Sequence, residues 1–280
     1  MREFEVSKIA DAVAVLCEKI NHELSGDMAE ALCSASERET SATGKKVLSM
    51  LEENLKIARE KRIPVCQDTG MAVVFLEIGQ EVSLVGGYVE DAVNEGVARG
   101  YRDGYLRKSV VADPLERVNT GDNTPAVIHT RIVPGDRVKI TLAPKGFGSE
   151  NMSKIYMLKP SDGEDGVVRA VVGAVREAGP NACPPVVVGV GLGGDFEYAA
   201  IMAKRALTRP VGSFSEKEHI ARLEERILEE INSLGIGPAG LGGDVTALAV
   251  NIETYPTHIA GLPCAVNICC HVNRHIGVTL

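Results

Sequence analysis

Tryptophan is absent from this 280-residue chain, and aromatic residues of all kinds make up only 4% of it. Surfaces that bind single-stranded nucleic acid stack successive bases on aromatic faces, and few are present here. Lysine and arginine nowhere form a tract, and the formal net charge is −8. The electrostatic footprint of a nucleic-acid or anionic-membrane partner is therefore missing, so neither is expected. An anionic small molecule would need a local cationic pocket. No apolar run approaches the ~20 residues of a membrane-spanning helix. The amino-terminal MREFEVSK has no signal-peptide core, and a cytoplasmic location is expected. Also lacking is any C-x-x-C pair. Cys17, Cys33, Cys66, Cys183, Cys264, Cys269 and Cys270 are scattered, unlike the ligands of a zinc ribbon or a compact ferredoxin. Their odd number argues against a disulfide framework. No sequence repeat, low-complexity linker or boundary interrupts the chain, which reads as a single domain over residues 1–280.

Glycine, by contrast, is plentiful at 29 residues and suits close backbone packing and tight turns. Apolar residues at helical spacing (Val6, Ile9, Val13, Leu16, Ile20) predict an amphipathic helix over residues 3–24. A short helix is predicted over 28–36. A longer one runs from the N-cap Ser41 to about residue 62, with Val47, Leu51, Leu55 and Ile57 on its buried side. Cys17 and Cys33 fall at apolar-face positions of these helices and read as core thiols. A strand over 72–78, a helix over 90–102 and an irregular stretch over 105–125 follow. Residues 126–133 and 137–143, joined by Pro134-Gly135-Asp136, read as a hairpin. Beyond them come a helix over 167–178, a buried-type strand over 186–190 and a helix from about residue 195. A long amphipathic helix, a glycine-rich loop over 234–244 and a strand over 245–252 complete the pattern. The expected fold class is mixed α/β of the α+β kind, a helical lead-in followed by mixed sheets flanked by helices.

The chemistry sits in the loops. PVCQDTG, residues 64–70, sets a cysteine, an amide, a carboxylate and a hydroxyl side by side between a helix and a strand; a lone loop cysteine also serves as a small buried hydrophobe. PKGFGSENMSK, residues 144–154, either presents backbone N–H groups to an anion or is a plain loop. Cys183 stands before two prolines and a strand. Gly189, Gly191 and Gly194 match G-x-G-x-x-G, yet a dinucleotide fold needs a second strand ending in an acidic residue about 20 positions on. A polar loop and a long helix follow instead, so an NAD-dependent oxidoreductase is the remote alternative. His258, between Pro256 and Pro263, either titrates near neutral pH in a site or is a structural imidazole. Three loops thus each offer a thiol: Cys66, Cys183, and one of Cys264, Cys269 or Cys270. Three thiolates suit a [4Fe–4S] cluster with one open iron, which binds a substrate hydroxyl and carboxylate as a Lewis acid.

CQDTG at Cys66, YLRKS at Tyr105, KGFGSEN at Lys145, CPPVVVGVGLGG at Cys183 and PTHIAGLP…CC at Pro256 span essentially the whole chain. In this order they resemble the alpha subunit of the iron–sulfur hydro-lyases, the family of class I fumarate hydratase and L-tartrate dehydratase. The resemblance implies the class I fumarase alpha-type fold and cluster ligands at Cys66, Cys183 and Cys270. Cys269 is excluded because neighbouring strand residues point to opposite faces, and Cys264 falls where the family pattern asks for no thiol. The resemblance further implies that Gln67 and Asp68 line the substrate site and that Arg107 holds a substrate carboxylate. His258 contacts substrate and, with Asp68, serves catalysis; Gly148 offers a backbone donor, although Phe147 departs from the more glycine-rich form expected there. The implied reaction is reversible dehydration of (S)-malate to fumarate, with L(+)-tartrate as the rival substrate. The family's principal base and further cationic contacts come from a beta part. A beta subunit is therefore the expected partner, in a heterotetramer or around an alpha–alpha dimer core, with a small dicarboxylate as substrate.

Overall fold

The computed structural model describes all 280 residues and has the expected mixed α/β class. In chain order the elements are β1 (Arg2–Glu5), α1 (Ser7–His22), α2 (Gly26–Arg38), α3 (Ala42–Lys61), β2 (Met71–Gly79), β3 (Val82–Val85), α4 (Val89–Asp103), β4 (Val127–Val133), β5 (Val138–Lys145) and α5 (Phe147–Glu150). They continue with β6 (Lys154–Leu158), α6 (Gly163–Ala178), β7 (Val186–Gly194), α7 (Phe196–Ala206), α8 (Glu218–Asn232), β8 (Ala247–Thr257), β9 (Leu262–Cys269) and β10 (Ile276–Thr279). Two compact units result: Met1–Ser25, Ile57–Phe147 and Arg274–Leu280 form the first, and Gly26–Lys56 with Gly148–Asn273 the second. No helix is long and apolar enough to cross a membrane.

The first unit is built on a four-stranded sheet in the order β10-β5-β2-β4. Ile9, Val13 and Ile20 of α1 and Val93, Val97 and Tyr101 of α4 pack on Val74, Leu76, Ile140 and Leu142 of the sheet. The helical spacing from Val6 is real, but the helix starts at Ser7. The segment before it is strand β1, parallel to β3, with Phe4 alone buried among its four residues. The predicted hairpin does not form. β4 pairs parallel and β5 antiparallel with β2, which lies between them. Nearly all of β2 is buried whereas β4 is largely exposed, so the apolar run takes the central place and β4 the edge. The end of β2 also occupies the turn: Gly79 N donates to Arg137 O and Gln80 N to Val133 O. A Cβ at Gly79 would fall 2.3 Å from the Gly135 oxygen, so only glycine permits this approach.

The second unit carries the order β6-β9-β7-β8. Val171, Val175, Ile220 and Ile227 of α6 and α8 cover Val188, Val190, Val250 and Val266, and Ala199 and Ala203 of α7 pack on Ala265. The glycine motif is absorbed here. β7 runs on to Gly194, so its glycines are strand residues, and a Cβ at Gly191 would lie 1.9 Å from Ala199 O. They let α7 lie against the strand. Asp195 caps that helix by accepting from Tyr198 N at 2.9 Å, and Ser41 Oγ accepts from Gly44 N in α3 at 3.2 Å. In α3 the buried residues are Gly44, Leu48 and Ala58; Val47, Leu51 and Leu55 are half-buried and Ile57 is exposed, so the stripe is rotated from the predicted one. Cys33 is exposed rather than core, because the stripe of α2 is Met28, Leu32 and Ala35 and the next residue lies a quarter-turn or so away.

The two units repeat one connectivity. A central strand (β2 or β7) leads through helix to a parallel neighbour (β4 or β8), then to an antiparallel strand on its other flank (β5 or β9). An antiparallel edge strand (β10 or β6) completes each sheet. No sequence repeat announces this.

Candidate metal and substrate site

In the first unit, Cys66, Gln67 and Asp68 occupy the segment entering β2, and that segment is tied down at almost every residue. Val65 N donates to Asn21 O at 2.8 Å. Asp68 Oδ1 accepts from Gly70 N at 3.0 Å and Oδ2 from Phe147 N at 2.8 Å, so one carboxylate serves two amides that no ladder reaches. Tyr101 Oη donates to the Thr69 and Gly70 carbonyls at 2.8 and 3.0 Å, and Asn123 Nδ2 donates to Gly70 O at 3.2 Å. Burial holds the Tyr101 hydroxyl far above its usual range, so it stays a donor. Gly70 has φ +79°, and a Cβ there would press on the Lys145 backbone at 2.8 Å. Thr69 Oγ1 donates to Arg107 O at 3.0 Å, bringing Arg107 beside the segment. The side chains of Gln67 and Arg107 are exposed and Cys66 is half-buried.

In the second unit, Cys183 ends a 3-10 turn in the left-handed region (φ 53°, ψ 64°) just ahead of β7. Cys270 directly follows β9, whose last residue, Cys269, lies opposite Val187. The two share one end of the sheet: His271 N donates to Cys183 O at 3.3 Å, and His271 Nδ1 lies 3.0 Å from the same oxygen. Each unit therefore sets a cysteine before its central strand.

The donor chemistry separates the thiols. All seven cysteines are thiols in the structure, with Cys183 exposed and Cys66 and Cys270 half-buried. Cys264 lies in the core, and burial pushes its thiol, like that of Cys17, up to about 12. Metal ligation needs thiolate, so these two are poor ligands and Cys264 is packing, as expected. Cys269 is 2% exposed. Cys66, Cys183 and Cys270 each keep the access to solvent that a ligating thiolate needs. No three His, Cys, Asp or Glu side chains are gathered for a single metal ion.

Gly148 is the second residue of α5, a helical turn rather than a plain loop, and a Cβ there would meet nothing within 4 Å. His258 is exposed, with Nδ1 accepting from Ala260 N. Thr257 lies opposite Gly194, so the length of β7, about 26 Å at ~3.3 Å per residue, separates His258 from Cys183 and Cys270. The structure thus gathers Cys66, Gln67, Asp68 and Arg107 in one unit and Cys183 and Cys270 in the other, and leaves His258 at the far end of the second sheet. Sequence reasoning missed Asn21, Tyr101, Asn123 and Arg274, which brace the Cys66 segment. Their only signal was polarity at positions that proved buried.

The names of the family and of the relatives that match this chain mark it as a carbon–oxygen lyase of the hydro-lyase class. The family model for fumarate hydratase (Fumerase) matches residues 10–279. The chain belongs to that family, which is iron–sulfur dependent. It is 43% identical over 274 residues to a "Putative L(+)-tartrate dehydratase subunit alpha" of Methanocaldococcus jannaschii, with 95% of each chain covered. It is 33% identical over 273 residues to the L(+)-tartrate dehydratase subunit alpha of Escherichia coli K12 and to that of Shigella sonnei, covering 96% of this chain and 89% of each relative.

Proposed function

We propose that this chain is the cluster-binding alpha subunit of an L(+)-tartrate dehydratase, its 280 residues acting as one fumarase alpha-type catalytic domain. The supporting observation is the likeness to tartrate dehydratase alpha subunits along nearly the full length of both chains. It favours tartrate over the malate expected from the motifs. Dehydration of (S)-malate is the second reading, supported by the family's own description.

In this reading Cys66, Cys183 and Cys270 hold a [4Fe–4S] cluster, which when bound supplies a Lewis acid for the departing hydroxyl. The chain's own residues do the rest of this subunit's work. Arg107, exposed beside the Cys66 segment, grips a substrate carboxylate as a bidentate fork. Gln67 hydrogen-bonds the substrate, and Gly148 offers a main-chain donor. Asp68, oriented by the Gly70 and Phe147 amides, moves a proton at its carboxylate. Because β7 separates His258 from Cys183 and Cys270, its contact with substrate is assigned to a second copy of the chain, across an alpha–alpha dimer core. The relatives are named as alpha subunits, which supports a beta partner; two of each make the simplest assembly, and beta brings the principal base and further cations.

The test is the anaerobically reconstituted alpha–beta enzyme assayed with both substrates. A site built around the second hydroxyl prefers L(+)-tartrate over (S)-malate by about 10²-fold or more in kcat/KM. A malate preference would install the second reading. Turnover of neither, with the cluster intact, would overturn the function.

A further inference from the structure

Arg274, which the proposed chemistry leaves unused, is 2% exposed and lies against the Cys66 segment in the first unit. Its Nη1 donates to Asn21 Oδ1 at 2.7 Å and its Nη2 to the Asp68 carbonyl at 2.8 Å. Nε is buried without a hydrogen-bond partner. Both acceptors are neutral, so this is a buried guanidinium with no carboxylate in salt-bridge contact. Such a group costs stability, and a methionine of similar length would avoid that cost.

Its placement explains what it does. Asn21 Nδ2 donates to Cys17 O at 2.8 Å, which turns Oδ1 of the same amide toward Arg274. The Asn21 carbonyl meanwhile accepts from Val65 N at 2.8 Å. The stretch from Val65 to Asp68, which carries Cys66 and Gln67, is therefore gripped at both ends by one Asn–Arg pair anchored on α1. The same guanidinium and the Asp68 carboxylate both border Gly146: a Cβ there would lie 2.9 Å from Asp68 Oδ2 and 3.8 Å from Arg274 Nη2.

We infer that Arg274 is a positioning residue, holding the Cys66–Asp68 segment in register through the Asp68 carbonyl. The inference rests on the reading of Cys66 as a ligand and Asp68 as a substrate contact. Lysine reaches only one of the two acceptors, and methionine neither.

The experiment compares wild type, Arg274→Lys and Arg274→Met as full chains, first by amide hydrogen exchange without the cluster, then as reconstituted alpha–beta enzymes. In Arg274→Met, exchange at Val65, Gly70 and Phe147 should rise at least tenfold while β7 is unchanged. Per loaded enzyme, kcat should fall about 10–100-fold, as small displacements of reacting groups do, with a smaller change in KM. Arg274→Lys should recover part of both effects. A purely structural role would raise exchange throughout the first unit and leave kcat per loaded enzyme at the wild-type value, and that result overturns the inference. If Arg274→Met does not fold, Arg274→Lys decides: wild-type exchange at those three amides with wild-type kcat overturns it, and local loosening with reduced kcat supports it. Should wild-type enzyme turn over no dicarboxylate, the proposed function fails, and the exchange data still decide whether Arg274 holds the segment.

Discussion

Gly191→Ala tests whether the glycine motif serves packing or a nucleotide. The new methyl carbon would sit 1.9 Å from Ala199 O and 2.8 Å from Ala203 N. Both are backbone atoms of α7, so no side chain can swing away and the helix itself must back off by about 1 Å. Overpacking of a well-filled core typically costs about 1–3 kcal/mol, and more where backbone moves; we expect about 3. At roughly 2–4 °C per kcal/mol for domains of this size, Tm should fall by about 6–12 °C. Gly173→Ala is the internal control. Gly173 lies inside α6, and a Cβ there would meet nothing within 4 Å. Alanine should stabilise that helix by about 0.5–1 kcal/mol. The same chemical change thus carries opposite signs at two sites, read by thermal unfolding followed by circular dichroism. A native Tm for Gly191→Ala would refute the packing argument, and saturable NAD binding by the wild-type chain would return the motif to a phosphate-binding role.

Three further outcomes follow from the geometry. Tyr101→Phe removes the hydroxyl that serves the Thr69 and Gly70 carbonyls and should cost about 1–3 kcal/mol, seen as a lower urea midpoint at unchanged m; an unmoved midpoint would mean that the hydroxyl does not hold the segment. Burial raises the Cys17 and Cys264 thiols from 9.0 to about 12. The folded chain keeps these protons while the unfolded chain releases them, so stability is complete below pH 9 and is lost as pH rises toward 12. The slope is about 1.4 kcal/mol per pH unit per thiol, and Cys264→Ala should flatten it; an unaltered slope would contradict the buried-thiol reading. Arg107→Lys should raise KM about tenfold with the cluster retained, since an ammonium lacks the planar fork; an unchanged KM would remove Arg107 from the site.

Much of the element pattern was legible because apolar spacing and caps are local signals. The Ser41 cap, the helix start near residue 195 and the 3.6-residue rhythm of α1 are read directly from the chain. Pairing was not legible. The turn at Pro134-Gly135-Asp136 looked sufficient to join β4 to β5, but insertion of β2 between them depends on burial across the whole sheet, information that no short window contains. The same limit hid the repeated connectivity of the two units. For the site, Cys66, Gln67 and Asp68 stood out because their polar types cluster within one loop. Asn21 and Arg274 did not, since each acts through hydrogen bonds to residues distant in sequence and is otherwise an ordinary polar residue. His258 stood out for its surroundings in sequence, yet the parallel register of β7 and β8 carries it away from the two cysteines of its own unit.

The central claim, that three loop thiols hold one cluster, is tested most directly by iron and acid-labile sulfide per chain after anaerobic reconstitution. The wild-type chain and Cys269→Ala should each hold about four of both, whereas Cys66→Ala, Cys183→Ala and Cys270→Ala should each lose the cluster. A wild-type chain that binds zinc or no metal, or a Cys270→Ala chain that keeps its iron and sulfide, would contradict the account.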